Sequence, residues 1–253
     1  MKPLTLYTII MSTKKYLPTA TVLTLVIATL TACGGGSADS VIVLQQPTLS
    51  NIAAQGIWHS ATGAATDVSA VVTDSGQVWS LHTTAGTTRL VKAALSSSAS
   101  GFTGTGKSFV LGSTAVDTLT VNATALAKTS MSGNITSPTQ SEVLDLAYQT
   151  RYDTPVTLSN FAGTWSATLG PGTVTWTIDS AGVITGTRTT GCTYTGQLSL
   201  RPEAKAVANA VITESCPAVT QLSGVAIKTT DNKGITMLLT SAGDAQGAVL
   251  ILR

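Results

Sequence analysis

Gly163-Thr164-Trp165-Ser166-Ala167-Thr168-Leu169, followed by Val174-Thr175-Trp176-Thr177-Ile178, alternates apolar with small polar residues. In extended chain Trp165, Ala167 and Leu169 share one face, as do Val174, Trp176 and Ile178, with serine and threonines between them. Period two marks a strand with one dry and one wet face, and β-branched threonine at the wet positions suits a pleat better than a helix. Similar short segments follow at 183–188, 193–200, 206–213, 221–228, 234–240 and 248–253, which makes eight predicted strands separated by Gly-, Ser-, Asn- and Pro-containing turns. That spacing is expected of an antiparallel meander. A meander of eight closes on itself, and closure removes the exposed edges.

The same opening occurs earlier in the chain. Gly56-Ile57-Trp58-His59-Ser60-Ala61 echoes Gly163-Thr164-Trp165-Ser166-Ala167-Thr168, and Thr73-Asp74-Ser75-Gly76 echoes Ile178-Asp179-Ser180-Ala181-Gly182. Three more matches keep the order: Phe102-Thr103-Gly104 with Tyr194-Thr195-Gly196, Asn122-Ala123-Thr124 with Asn209-Ala210-Val211, and Met131-Ser132-Gly133 with Leu222-Ser223-Gly224. Two homologous repeats follow from this, 49–153 and 154–253. Only 10% of the chain is charged, and Thr, Ser, Ala, Gly and Val dominate. The expected class is all-β: two tandem antiparallel up-and-down barrels of about eight strands each.

Upstream of the repeats, Leu30-Thr31-Ala32-Cys33 closes an apolar run from Leu17 and opens onto Gly34-Gly35-Gly36-Ser37, with Lys14 and Lys15 before the run. The run has the length of a signal-peptide core and is short for a membrane span. Met11 heads a leader of conventional shape and is the favoured start. The pattern resembles a bacterial lipoprotein signal. That resemblance implies a signal peptide over 1–32, removed before Cys33, acylation of the Cys33 thiol (palmitate among the chains), and a flexible tether over 33–48. Gly34 lacks the aspartate that retains such proteins in the inner membrane, so the expected location is the outer membrane of the cell envelope. Of 14 basic side chains, Lys2, Lys14 and Lys15 leave with the leader, so 11 face 12 acidic ones. A nearly neutral mature chain offers no basic stripe for nucleic acid.

The three cysteines test the topology. In an up-and-down barrel the turns after strands one, three, five and seven lie at one end, and Cys192 and Cys216 fall in the turns after strands three and five of the second repeat. Their thiols therefore emerge together, as a disulfide requires. In an oxidising envelope that bridge contributes roughly 3.5 kcal/mol by the chain-entropy relation. Metal binding is the rival reading, weakened by the absence of nearby histidines.

Val156 to Trp165, a turn-like stretch leading into G-x-W, resembles the opening of lipocalin and avidin-type barrels. In that family the tryptophan plugs the closed end beneath an arginine beyond the last strand. The resemblance implies a plug of Trp165 with Arg253 in the second repeat, and of Trp58 with Arg151 in the first, where 142–150 is the last strand-like run. Lipobox, paired repeats and a Tyr148, Tyr152-Asp153, Pro155 connector together resemble a group of proteobacterial outer-membrane lipoproteins. Neisserial surface lipoproteins with paired β-rich domains, which bind host serum proteins, are their architectural neighbours.

Gly101-Phe102-Thr103-Gly104-Thr105-Gly106-Lys107-Ser108 matches G-x-x-x-x-G-K-[ST], but serines and alanine precede it and strand-like Phe109-Val110-Leu111 follows, where a phosphate loop needs a strand before and a helix after. It is expected to be a solvated loop and not a nucleotide site. His59 and His82 are the only histidines; with Ser60, Ser80 and Asp67 or Asp74 they allow a Ser-His-Asp constellation on paper, without a G-x-S-x-G elbow. His59 follows the plug tryptophan and is expected to point outward into solvent. Asp74 and Asp179 occupy matching turns as Asx-type residues. Trp79 and Trp176 are candidates to line an avidin-like pocket, although bulky inward positions favour filled barrels. No cofactor or catalytic residue is expected. The expectation is a non-enzymatic binding module presented to a protein or glycan partner, with an inhibitor of periplasmic or host hydrolases (protease or lysozyme type) and a structural envelope component as alternatives.

Overall fold

The computed structural model describes residues 53–253 apart from Ala99, Gly170, Pro171, Ala204 and Pro217. The expected signal peptide, the acylated Cys33 and the tether lie outside the described residues. The chain is all-β. The first sheet runs β1 (Gly56–Ser60), β2 (Asp67–Val72), β3 (Gln77–Thr84), β4 (Thr87–Ser98), β5 (Gly101–Val110), β6 (Val116–Leu126), β7 (Ser130–Thr136) and β8 (Ser141–Tyr148). It is a closed barrel in sequence order, sealed where Trp58, His59 and Ser60 pair with Tyr148, Ala147 and Leu146.

Two 3-10 turns, Thr150–Asp153 and Leu158–Asn160, lead to the second sheet. Its strands are β9 (Gly163–Leu169), β10 (Gly172–Ile178), β11 (Val183–Arg188), β12 (Thr193–Leu200), β13 (Val207–Cys216), β14 (Ala218–Lys228), β15 (Ile235–Ser241) and β16 (Gly247–Leu252). This sheet also pairs in sequence order and is nearly closed: Ser166 and Arg253 exchange backbone hydrogen bonds of 2.9 Å each way across the seam. Among the described residues no helix is long and apolar enough to cross a membrane.

Alternation places the expected residues inside. Val174, Trp176, Ile178, Ile184, Leu198, Ile212, Met237, Leu239 and Leu252 belong to the second barrel's core, and Trp58, Val91, Leu95, Phe102, Leu119, Val121, Leu144 and Leu146 to the first. Both lumens are packed with side chains. The strand openings share one device: Trp58 Nε1 donates to the Ala54 carbonyl and Trp165 Nε1 to the Phe161 carbonyl, both at 2.9 Å. Gly163 adopts φ 142°, which opens the way into the strand that follows and which a side chain would strain.

The turn match also holds. Gly76 and Gly182 close turns onto Thr73 and Asp179, and their carbonyls accept Leu95 N–H and Leu198 N–H, both at 2.8 Å. The last three sequence matches are out of step by one strand. Phe102–Gly104 lies on β5, the fifth strand, whereas Tyr194–Gly196 lies on β12, the fourth of its barrel; the Asn122 and Met131 segments are displaced likewise against Asn209 and Leu222. Strands built from alternating small and apolar residues look alike, so the matching slid along by one strand once the loop lengths diverged.

A third apolar cluster joins the barrels. Ile57, Val71, Trp79, Leu90 and Phe109 face outward from the first barrel and meet Val207, Val225, Ile227 and Leu238 from the second, with Tyr152 of the connector among them. Polar contacts frame this junction. Lys92 Nζ lies 2.7 Å from Asp244 Oδ1, Lys107 Nζ donates to the Gly243 and Asp244 carbonyls, and Lys205 Nζ reaches Asp153 Oδ1 at 2.9 Å. Arg201 binds Glu203 at 2.7 Å and crosses to Asp74. The two barrels and their connector consequently form one compact body.

Candidate functional site

A cleft of 930 Å³ opens beside that junction, within the range of small-molecule sites. Its floor is apolar because several strands carry hydrophobic residues on both faces. Val71 stands next to Val72, Leu238 next to Leu239, and Ile227 next to Ala226; one of each pair fills a lumen and the other faces the cleft or junction. Ile57, Leu81, Leu111, Val249 and Ile251 complete the floor, and Thr83, Thr88, Thr229 and Thr236 line its walls.

The polar end holds His59, Asp67, Arg151, Lys228, Asp231 and Arg253. Arg151 Nη1 donates to the Lys228 carbonyl at 3.0 Å, and Nη2 lies 3.4 Å from His59 Nε2. His59 Nδ1 meets Ser69 Oγ at 2.8 Å. Burial lowers the His59 pKa and the Arg151 charge lowers it further, against an opposing pull from Asp67, a balance that favours the neutral imidazole. Burial lowers the pKa of Arg151 and of Lys228 as well, the latter partly offset by Asp231. His59 does point outward as the alternation requires, but into this cleft and not into bulk solvent.

The plug expected from the family resemblance takes other partners. Tyr148 stands opposite Trp58 in the β1–β8 register and packs edge-on at 5.3 Å, while the Arg151 guanidinium is bonded to the Lys228 carbonyl and His59. Over the Trp165 ring the cation is Lys228, 4.5 Å from the centroid. Arg253 follows the inward Leu252, so alternation turns it outward, where it reaches Asp231 at 3.4 Å.

The phosphate-loop look-alike is β5 itself, a strand throughout. Its glycines serve packing: a Cβ on Gly106 would lie 2.7 Å from the Ala93 Cβ, and one on Gly104 would lie 2.9 Å from Leu95 Cδ2. Lys107 is therefore no solvated loop residue; it points outward and ties the barrels together. Trp176 is inside the second barrel against Tyr194, whereas Trp79 belongs to the junction beneath Lys92. The two tryptophans are thus not equivalent. Asp179 is an Asx-turn residue, accepting Ala181 and Val183 N–H, and Asp74 accepts Ser75 N–H besides Arg201.

A polar relay does exist, with an acid that sequence reasoning did not select. Ser80 Oγ lies 2.7 Å from His82 Nε2, and His82 Nδ1 lies 2.8 Å from Glu142 Oε1. The order reproduces that of a nucleophile, base and acid. Ser80 is 1% exposed, however, and sits mid-strand with Ala70 and Val91 paired on either side, which commits the local backbone to the sheet ladder. The hydroxyl is closed to solvent, and the ladders on either side engage the strand backbone around it. The relay binds β3 to β8 across the lumen and satisfies a buried imidazole. Ser60 and Asp67 pair with each other on β1 and β2 instead.

In the second barrel, Cys192 and Cys216 stand at disulfide distance, their Cα atoms 4.6 Å apart. Cys216 is the last residue of β13 and not a turn residue, because β13 and β14 extend beyond the segments expected. The carboxylate of Glu214 lies within 4.8 Å of both sulfurs and accepts Tyr194 Oη–H at 2.6 Å. Sulfurs joined to one another are not thiolates, so this group offers a metal little while oxidised.

With this geometry established, comparison with known proteins adds no relative: no family model, no curated protein and no solved structure matches the chain.

Proposed function

We propose that the chain is a non-enzymatic binding module, held to the outer membrane through lipid on Cys33, whose recognition site is the cleft between its barrels. The observation that carries this reading is the cleft: 930 Å³, apolar at its floor and charged at one end, between two barrels joined by a continuous buried cluster. Function on such a scaffold belongs to the site and not to the fold. Packed lumens leave the space between the barrels as the place where a ligand meets both polar and apolar groups. The burial of Ser80 supports the non-enzymatic reading.

Photocrosslinking amino acids placed in intact cells at Thr83 and Thr236, both lining the cleft, test the assignment against Asp145, exposed on β8. Adducts specific to the cleft positions are expected. Adducts from Asp145 alone would move the recognition surface to the outer barrel face.

A further inference from the structure

We infer that the cleft takes a long-chain alkyl carboxylate, its acid group at Arg151 and its hydrocarbon along Leu81, Leu111, Val249 and Ile251. This rests on the cleft being the recognition site, and it names a ligand class different from the protein or glycan partner expected from the sequence.

Three observations lead there. The first is the lining: among its residues the only ring is the His59 imidazole. No indole or phenyl face is offered for a sugar or a base to stack upon, whereas aliphatic side chains from both barrels form one surface suited to methylenes.

The second is the charge balance at the polar end. Asp231 is engaged by Thr229, the Lys233 N–H and Arg253, and Asp67 by Ser60. Among the described residues no carboxylate lies within ion-pair distance of Arg151 or Lys228, the two cations whose pKa values burial lowers. A half-buried cation without a counter-ion is stabilised by an incoming anion.

The third is the way Arg151 is held. The Lys228 carbonyl fixes Nη1 without neutralising the guanidinium, and the buried Nε has no acceptor among the described residues. His59 Nε2 accepts from Nη2 in the same way, holding that side of the guanidinium without neutralising it. One N–H on each terminal nitrogen is thus spent and Nε is buried, which leaves one donor on Nη1 and one on Nη2, the pair that a single carboxylate takes.

The test uses the full-length lipidated protein in its own membranes. A diazirine-bearing decanoic acid is photolysed in place and its adducts mapped by mass spectrometry, with diazirine decanol and a decyltrimethylammonium analogue in parallel. The acid is expected to label cleft peptides and the two analogues to spare them. Competition by unlabelled octanoate, decanoate and dodecanoate should strengthen roughly tenfold for each two added methylenes. Arg151→Gln should weaken labelling roughly tenfold or more, as loss of a charge-assisted pair does. Because Arg151 also braces the junction, Thr83→Trp serves as a second variant; it fills the cleft with every charge intact and should abolish labelling. Equal labelling by the alcohol, no chain-length dependence, stronger competition by decyl phosphate, or unchanged labelling in both variants overturns the inference. The crosslinks from Thr83 and Thr236 are read separately. Cleft crosslinks to another partner without acid labelling would overturn the ligand class and leave the binding module standing, and silence in both experiments would overturn both.

Discussion

Truncating Phe109 measures how firmly the barrels are joined. The ring is 2% exposed, projects outward from β5, and lies against Gly247 of β16, where an added Cβ would come within 2.7 Å of its Cγ. Phe109→Ala leaves both lumens untouched and opens a void between two sheets that are each pinned by their own ladders. Little collapse is available to refill it, so the cost should fall in the usual range for a buried phenyl, about 3 to 5 kcal/mol. Against a total stability of about 5 to 15 kcal/mol that is a large fraction, and for a body of this size it corresponds to roughly 6 to 20 °C in melting temperature. The parent should unfold in one calorimetric transition. Phe109→Ala should lower that transition by the stated amount or split it in two, as the barrels lose their coupling. Val143→Ala, on a side chain 76% exposed, is the control and should be silent. A Phe109→Ala protein whose calorimetric trace superimposes on the parent would refute the joined body and the cleft built upon it.

Cys33→Ala should accumulate as unprocessed precursor that takes up no labelled palmitate; continued acylation would end the assignment of the anchor. Cys192 and Cys216 should resist alkylation until reductant is added, and Cys192→Ala with Cys216→Ala should cost roughly 3.5 kcal/mol in denaturant melts, since the pair closes a loop of 24 residues. Trp58→Ala should cost about 3 to 5 kcal/mol, because a fully buried ring, its hydrogen bond and its contact with Tyr148 are all lost, and Trp165→Ala should cost less because that ring is partly exposed; equal melts for the two would contradict the burial difference. Hydrogen bonds from Lys205, Lys128 and Tyr148 lower the Asp153 pKa from 3.8 to about 2. Its contribution is therefore complete above pH 4 and lost as pH falls from about 4 to 2, and Asp153→Asn should flatten the acid limb of a stability-against-pH profile over that window.

The barrels were legible because their physics is local. Seven-residue alternation at Gly163–Leu169 and Gly172–Ile178 fixes both the strand and its buried face, and the remaining second-repeat strands fall within a few residues of the expected segments. The errors share one cause. Strands β13 and β14 run on to Cys216 and from Ala218, past the point where their apolar alternation fades. Hydrogen bonding between two strands continues as a ribbon after the core ends, and nothing in side-chain pattern marks where it stops. The same indifference let three of the repeat matches slide by a strand.

The cleft was hidden for a different reason, and its sequence signal lies in broken alternation. Val71-Val72, Val78-Trp79, Leu90-Val91 and Met237-Leu238-Leu239 place apolar residues on both faces of strands that a solitary barrel would leave wet on one side. Doubly apolar strands belong to sheets covered on both faces. By contrast β6 and β7 alternate cleanly, with Thr118, Thr120, Asn122 and Ser132 outward and Leu119, Val121 and Met131 inward. The contrast between these two sets of strands marks which side of the first barrel is covered by the second. What alternation alone does not specify is that the covering is incomplete: Trp79, Leu90 and Phe109 make the junction, whereas Leu81 and Leu111 border the open cleft. That distinction depends on where Arg151 and Lys228 meet, 77 residues apart in the chain, and only the packing of one barrel on the other brings them together.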